Sequence, residues 1–256
     1  MYSDKRDKQN EDIIAGRNAV YEALNSGRLV DSVLIAKENA GGPVSRIIAL
    51  CREKGVTIKD VSPLKLDAMC GGLNHQGVAA IAAAHEYAEV SDILAKAEQK
   101  GEQPFIIIAD EINDPHNLGA IIRTAEAAGA HGVIIPKRGA VGLTNAVGKA
   151  SCGALEYLPV ARVANLASTV DDLKQKNIWI YCAEMSGKPM FDTNFSGGCA
   201  LIIGSEGFGV SRLLREKSDF LVSLPMKGNI PSLNASVAAG ILMYEVVRCR
   251  ENSTHK

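Results

Sequence analysis

The run Phe105–Ala109 is apolar at every position, which is typical of a strand buried on both faces of a parallel sheet. Shorter apolar runs follow it, separated by segments of helical periodicity. The pattern predicts further strands at 132–135, 178–183, 200–203 and 220–224. It predicts helices at 118–128, 143–150 and 233–250. Because parallel strands need crossover connections, the alternation predicts a doubly wound α/β domain over 104–256.

The preceding part of the chain predicts a smaller α/β unit over residues 12–88. The expected order is a helix from Gly16 to Gly27, a strand, a helix, a short strand, a helix from Pro63 and a final strand. These last five elements are expected at 29–35, 44–54, 56–59, 63–71 and 78–84. Residues 1–11 are mostly charged or amide side chains and are predicted to be a disordered leader. Residues 89–103 are predicted to be a linker that includes a helix.

The charge balance does not indicate a polyanion-binding protein. The net charge is −1, and residues 12–88 carry eight basic and eight acidic side chains. Because phosphate binding usually needs excess basic charge, RNA binding would depend on local basic residues. The candidates are Lys137, Arg138 and Lys149 in the larger unit and Arg17, Arg46, Arg52, Lys54 and Lys59 in the smaller one. Ordinary solvated charge is the alternative for each.

The six cysteines contain no C-x-x-C pair, so the sequence predicts no metal site and mostly buried, reduced thiols. No apolar run follows Met1, and no stretch reaches the 18–20 or so residues that span a bilayer. We therefore expect a cytoplasmic protein without a membrane partner.

Three segments carry candidate chemistry, and the first reads N-L-G-A-I-I-R-T-A from Asn117. It lies where a strand's carboxyl end turns into a helix, which is where open α/β sheets bind ligands. Helical side chains tilt toward the helix N-terminus, so Arg123 is expected to approach the same crevice as Asn117. Alternatively, Asn117 is an N-cap and Arg123 a solvated surface residue.

The second segment, I-G-S-E-G-F-G from Ile203, holds Glu206 between glycines. Glycines let backbone approach a ligand closely, although a plain turn would also explain them. The order is neither the G-x-G-x-x-G dinucleotide fingerprint nor the G-x-S-x-G nucleophile elbow. The third segment reads L-P-M-K-G-N-I-P-S-L-N-A-S-V from Leu224. Within it, Ser232 or Asn234 could simply cap the last helix.

Together, these segments resemble the three motifs of the SpoU/TrmH family of RNA ribose 2′-O-methyltransferases, within the SPOUT class. The smaller unit, with G-R-N-A-V-Y-E-A-L and H-Q-G-V, resembles the L30e/L7Ae-like RNA-binding domain of the RlmB-like subset. Pro231 departs from the pattern, which has a small polar residue there, and so puts the rigidity of that loop in doubt.

The resemblance implies a deep trefoil knot, a homodimer and the cofactor S-adenosylmethionine. By position in the motifs, the catalytic residues would be Asn117, Arg123, Glu206, Ser232 and Asn234. The cofactor-binding residues would be Gly204, Leu224, Met226 and Leu233. The implied substrate is a guanosine of 23S rRNA, free or in an assembling large ribosomal subunit.

The role of Arg123 stays open between base and electrostatic stabiliser. Arginine is protonated at neutral pH, so we favour a clamp on the neighbouring phosphate that stabilises the emerging alkoxide. Three other interpretations remain. The target could be tRNA or another rRNA site, including one that confers antibiotic resistance. The protein could be a non-catalytic rRNA-binding or ribosome-assembly factor. A nicotinamide-dependent oxidoreductase is disfavoured, because the fingerprint is absent after the first strand.

Overall fold

A computed structural model describes residues 13–36, 43–83, 85–230 and 232–254. The leader predicted over 1–11, residue 84 of the last strand predicted in the smaller unit, and Pro231 lie outside the described residues. The chain divides into two compact units. One comprises the residues up to 86 together with 142–145, and the other comprises 87–141 and 146–256.

The first unit is a four-stranded sheet with three helices, counted over the described residues. Its elements are β1 (Ile13–Ala15), α1 (Arg17–Asn25), β2 (Val30–Ala36), α2 (Pro43–Glu53), β3 (Thr57–Val61), α3 (Pro63–Cys70) and β4 (Val78–Ala82). The sheet order is β1-β4-β2-β3, with β2 and β3 parallel and β4 antiparallel to both neighbours. Except for β1, every element was predicted. Helices α1 and α2 contribute Val20 and Ile47 to one core cluster, and α3 contributes Leu66 to another.

The second unit is built on a six-stranded sheet in its described residues. Its elements are α4 (Val90–Gln99), β5 (Phe105–Ala109), α5 (Pro115–Ala127), β6 (Gly132–Pro136), α6 (Asn145–Ser151), β7 (Val160–Val163), α7 (Leu166–Gln175), β8 (Trp179–Pro189), β9 (Cys199–Ile203), α8 (Arg212–Lys217), β10 (Phe220–Ser223) and α9 (Ala235–Thr254). Short 3-10 turns lie at Ala154–Glu156 and Met190–Asp192.

The sheet of the second unit has the order β10-β8-β9-β5-β6-β7, and all its pairings are parallel. β5 lies inside the sheet, and Ile106, Ile107 and Ile108 are fully buried. Since successive strand residues face opposite sides, both faces of β5 are covered. The predicted α/β class with a mostly parallel sheet is confirmed.

Residues 89–103, where we predicted a linker, contain α4. Its Ile93 and Ala97 are buried, and Ile93 belongs to the main core cluster of the second unit. A Cβ added to Gly132 on β6 would lie 2.4 Å from Ile93 Cγ1, so only glycine leaves room for this helix. The helix in this range therefore packs as part of the second unit.

Four of the six cysteines, Cys51, Cys70, Cys182 and Cys199, are buried. Burial raises the pKa of the Cys51 thiol to about 11 and that of Cys182 and Cys199 to about 12, so these thiols stay protonated at neutral pH. In the described part of the chain, no helix is both long enough and apolar enough to cross a membrane.

Candidate active site

The three motif segments leave the sheet of the second unit at one edge. They follow the carboxyl ends of β5, β9 and β10. These three strands run in the same direction, because β5 pairs in parallel with β9, β9 with β8, and β8 with β10. Because parallel strands end on the same side of a sheet, these loops can approach each other. The observed contacts show that side chains from all three meet.

Asn117 lies in the first turn of α5, which begins three residues earlier than predicted. Asp114 is the N-cap, since its carboxylate accepts a hydrogen bond from the His116 N–H at 2.8 Å, and Pro115 occupies the first helical position. The alternative that Asn117 is merely the N-cap is therefore wrong. Its side chain is left to contact other segments.

Glu206 stands in a tight loop that closes between Ser205 and Gly209. These two residues exchange backbone hydrogen bonds of 3.1 and 2.9 Å. A Cβ at Gly204 would lie 2.0 Å from the Gly209 carbonyl carbon and 2.2 Å from the Val210 nitrogen. No larger residue fits there, so glycine is needed for the loop to close and present Glu206.

Asn234 combines the capping role with a second set of contacts. Its Oδ1 accepts hydrogen bonds from the backbone N–H groups of Ser236 at 2.9 Å and Val237 at 3.3 Å, which caps α9. These bonds show which side-chain atom is the oxygen, so the Nδ2 group must point away from the first turn of α9. It donates to Asn117 Oδ1 at 2.9 Å and also to Glu206 Oε1. The alternative that Asn234 caps the last helix is therefore correct, but it leaves out the hydrogen bonds to Asn117 and Glu206.

Asn117, Glu206 and Asn234 thus form a closed triangle of hydrogen bonds. Its third side is the bond from Asn117 Nδ2 to Glu206 Oε1, at 2.9 Å. Both hydrogens of the Asn234 amide are used. Within the described residues, Glu206 Oε2 and one Asn117 amide hydrogen have no hydrogen-bond partner. An acceptor beside a donor is the pair of groups that can hold and orient a hydroxyl.

The other two predicted catalytic residues lie outside this triangle. Arg123 is exposed, and its Nη1 donates to the Cys152 sulfur at 3.3 Å rather than to the three residues. Ser232 is exposed and lines a cavity beside Glu206.

That cavity measures about 420 Å³ and is open on one side. All four predicted cofactor-binding residues line it, namely Gly204, Leu224, Met226 and Leu233. Glu206 lines it too and so belongs to both the cavity and the triangle. The volume is in the range of small-molecule sites, and the walls combine apolar side chains with several polar groups.

The predicted basic residues lie elsewhere. None of Lys137, Arg138 and Lys149 is among the described residues that line the cavity. In the first unit, Arg17 donates to the Gln76 carbonyl at 3.0 Å, within the H-Q-G-V segment, whereas Arg46, Arg52 and Lys54 are exposed.

Sequence reasoning missed Glu184 and Arg215, which also line the cavity, and Cys152 beside Arg123. Glu184 directly follows the strand predicted at 178–183, so the sequence placed it at a carboxyl end, although the observed β8 continues to Pro189. Nothing in the local sequence singles out Arg215 or Cys152.

Two family models match the chain. One is described as the SpoU rRNA Methylase family and matches residues 104–244. The other is described as RNA 2′-O ribose methyltransferase substrate binding and matches residues 13–88. Their extents follow the two units described above.

Whole proteins and solved structures match over similar lengths. YacO of Bacillus subtilis, whose name assigns it to the TrmH family of tRNA/rRNA methyltransferases, is 52% identical over 94% of this chain and 97% of its own length. The SpoU methyltransferase AviRb of Streptomyces viridochromogenes, solved with the cofactor AdoMet, is 25% identical with a TM-score of 0.60, covering 98% of this chain and 94% of its own. A TrmH/SpoU tRNA modifying enzyme from A. aeolicus is 27% identical with a TM-score of 0.56, covering 60% of this chain and 78% of its own.

Proposed function

The chain belongs to the SpoU rRNA methylase family and is an S-adenosylmethionine-dependent RNA methyltransferase, and from that premise we propose that it methylates the ribose 2′-hydroxyl of a guanosine in 23S rRNA. The observation that carries the proposal is the hydrogen-bonded triangle of Asn117, Glu206 and Asn234. It offers a hydroxyl-holding pair of groups, and its Glu206 lines a cavity of cofactor size.

The cavity fits the cofactor in size and in chemistry. S-adenosylmethionine joins an apolar adenine surface to charged groups, and the cavity pairs apolar walls, including Leu224 and Leu233, with the Glu206 carboxylate. The crowded backbone around Gly204 leaves a wall of main-chain atoms there. Bound in the cavity, the cofactor supplies an electrophilic methyl group.

The chain's own contribution is mainly alignment. Glu206 Oε2 would accept the hydrogen of the ribose hydroxyl, and the remaining Asn117 N–H would donate to its oxygen. Asn234 holds both groups in place through its two donated hydrogen bonds. Ser232, on the cavity rim, would contact either the hydroxyl or the methyl donor.

Arg123 is assigned a part in RNA binding and charge stabilisation. The guanidinium is exposed, and among the described residues its one side-chain partner is the weak acceptor Cys152 Sγ, so it can turn to a phosphate without losing a strong bond. A cation there stabilises the negative charge that develops on the ribose oxygen as its proton passes to Glu206 Oε2. Arginine is a poor base at neutral pH, which favours this role over proton abstraction.

The first unit would hold the RNA, with residues 12–88 as the substrate-binding domain and 104–256 as the catalytic domain. Residues 89–103 would connect the two, and their helix α4 packs on the catalytic side. The match of residues 13–88 to a substrate-binding model supports this division. The exposed Arg46, Arg52 and Lys54 give that unit local basic charge. We place the reaction in the cytoplasm, where large ribosomal subunits assemble.

We also propose that the protein is a homodimer joined through α9. Val237, Ile241 and Tyr244 are 49%, 39% and 52% exposed. Their spacing places them on one face of the helix, beside the Asn234 cap. An exposed apolar stripe of this kind marks an interaction surface. The opposite face of α9 is buried, because Ala239, Leu242 and Val246 are fully enclosed in the core. A trefoil knot formed by the segment that leads from β10 into α9 is part of the same proposal.

Mapping of ribose methylation in total RNA tests the target. A strain that lacks the gene should lose the 2′-O-methyl group of one 23S rRNA guanosine, and the wild-type gene should restore it, whereas Asn234→Ser should not. Loss of a tRNA methyl group instead would reject the 23S assignment and favour tRNA, which the name of the Bacillus subtilis relative includes. An unchanged methylation map would reject the proposed reaction.

A further inference from the structure

Three ionisable side chains line the cavity, counted over the part of the chain that the structure describes. They are Glu184, Glu206 and Arg215. Two carboxylates and one guanidinium give the lining a net formal charge of −1. Arg215 is the one cation among these lining residues.

Glu184 and Arg215 form an ion pair at the cavity wall. Arg215 Nη1 donates to Glu184 Oε2 at 3.1 Å, and the Glu184 side chain is only 17% exposed. Both residues are attached to the core, because Leu214, next to Arg215, and Cys182, two residues before Glu184 on the same strand, are buried. The helix that carries Arg215 is held at its start by the buried carboxylate of Asp110, which accepts from the Ser211 N–H at 2.7 Å.

The pair retains binding capacity toward the cavity. A guanidinium has five N–H donors, and one of them is used by Glu184. Glu184 Oε1 accepts no hydrogen bond from the described residues. A fixed carboxylate and a fixed guanidinium, side by side, complement the ammonium and the carboxylate of an α-amino acid, respectively.

The charges of S-adenosylmethionine match this lining one to one. The cofactor carries a sulfonium, an ammonium and a carboxylate, for a net charge of +1. Glu206 belongs to the triangle that would orient the ribose hydroxyl, so the sulfonium must lie on its side of the cavity. The carboxylate would be repelled by Glu206 and has one cationic partner in the described lining, Arg215.

We propose that Arg215 binds the α-carboxylate of S-adenosylmethionine and that Glu184 binds its α-ammonium. This inference rests on the proposed placement of the cofactor in the cavity. It makes the ion pair a recognition element for the amino-acid half of the cofactor, separate from the residues that orient the RNA hydroxyl.

Isothermal titration of the full-length protein with two ligands tests the inference without any turnover. S-adenosylhomocysteine keeps the amino-acid half, whereas 5′-methylthioadenosine lacks it. Arg215→Ala should weaken S-adenosylhomocysteine about 10- to 100-fold, as expected for losing a hydrogen-bonded charge, and should leave 5′-methylthioadenosine within about 2-fold. Glu184→Gln should show the same selectivity. Arg212→Ala is the matched control, because Arg212 lies on the same helix and pairs with Glu216 outside the cavity.

Equal weakening of both ligands, or of neither, would overturn the assignment. A ligand-side measurement on the wild-type protein guards against a variant that fails to fold. Decarboxylated S-adenosylmethionine lacks only the carboxylate, so the wild type should bind it about 10-fold or more weakly than S-adenosylmethionine. Equal affinity for the two would contradict the role of Arg215. If the wild type bound none of these ligands, the proposed cofactor site itself would be rejected.

Discussion

The side-chain amide of Asn234 donates a hydrogen bond to Asn117 Oδ1 at 2.9 Å, although 117 positions separate the two residues in the chain. Each lies in or just before the first turn of a helix, α9 for Asn234 and α5 for Asn117. Because Asn234 Oδ1 caps α9, the start of that helix fixes the direction of the Asn234 N–H groups. Helix capping and site geometry are therefore coupled through one side chain.

Replacing Asn234 by serine should separate these two roles. Serine caps helices about as well as asparagine, so Asn234→Ser should leave the free energy of unfolding within about 0.5 kcal/mol of wild type. It has no amide donors for Asn117 and Glu206, so the single-turnover rate should fall about 100-fold. Asn234→Ala should lose the rate and also about 1 kcal/mol of stability. Urea unfolding measures the stability of each variant, and single-turnover methylation measures its rate. A wild-type rate for the serine variant would contradict the proposed role of the Asn234 amide.

Arg123→Lys should lower the single-turnover rate at saturating RNA by about 10-fold or more, because lysine cannot form the two-pronged contact with a phosphate. The rate should fall by a similar factor at every pH from 6 to 9. A base role predicts something else, namely a rate profile displaced toward lower pH, since lysine loses its proton more easily than arginine. Arg212→Lys, on the exposed side of α8, is the control and should match wild type. A near-wild-type rate for Arg123→Lys would exclude the need for a planar guanidinium.

Gly204→Ala should open the loop that presents Glu206. The added Cβ would meet the Gly209 backbone at 2.0 Å, and backbone atoms cannot move aside as a flexible side chain can. We expect at least a 10-fold loss of S-adenosylhomocysteine affinity and about 1–3 kcal/mol of lost stability. Gly228→Ala is the matched control, because nothing lies within 4 Å of a Cβ placed there. Titration calorimetry and thermal unfolding of the two variants should therefore diverge; similar behaviour would contradict the steric argument.

The parts of the fold that could be predicted are those whose pattern is strong over a short window. β5 and β9 are continuous apolar runs, and α9 is long, so both kinds of element were predicted. β7, α7 and α8 were missed for identifiable reasons. β7 is a four-residue edge strand with only two buried positions, and α8 has six residues and one buried side chain, Leu214. α7 has a polar residue, Thr169, at one of its buried positions and Ser and Asp between the others, which weakens the apolar signal.

The site divides in the same way. Motif order pointed to Asn117, Glu206 and Asn234, but a motif does not say which atoms meet. The triangle depends on three loops being brought together by parallel strands. Arg123 shows the opposite case. Its observed partner, Cys152, has a backbone φ of 50°, which no local sequence pattern predicts. Long-range packing decides such contacts, and single-sequence patterns do not encode it.

His131 should make stability depend on pH. Its side chain is fully buried, with Nδ1 accepting from the Phe105 N–H at 2.9 Å and Nε2 lying 3.1 Å from Glu102. Burial lowers the pKa of His131 below its usual 6.5, although Glu102 opposes this. The unfolded chain therefore binds a proton more readily than the folded one. Stability from this residue is present above pH 6.5 and is lost as pH falls below it, by at most about 1.4 kcal/mol per pH unit.

The variant His131→Asn tests this dependence, because an asparagine oxygen can accept the Phe105 N–H and does not titrate. Urea unfolding from pH 5 to 8 should show wild type losing stability toward acid more steeply than the variant. The difference between the two curves isolates His131 from other titrating groups. Parallel curves would mean that His131 has the same proton affinity in both states.

Ile241→Glu should convert the proposed dimer to monomers. Ile241 lies at the centre of the exposed stripe formed with Val237 and Tyr244, so a carboxylate there would be buried without a partner in any interface built on this face. Sedimentation equilibrium should show wild type at twice the chain mass and the variant at the chain mass. Glu251→Lys changes an exposed residue near the end of the same helix and is the control, which should stay a dimer. The monomeric variant should unfold at a lower temperature than this control, because dimerisation stabilises the folded state. A wild-type protein that sediments as a monomer would reject the dimer, and an Ile241→Glu variant that still dimerises would place the interface elsewhere.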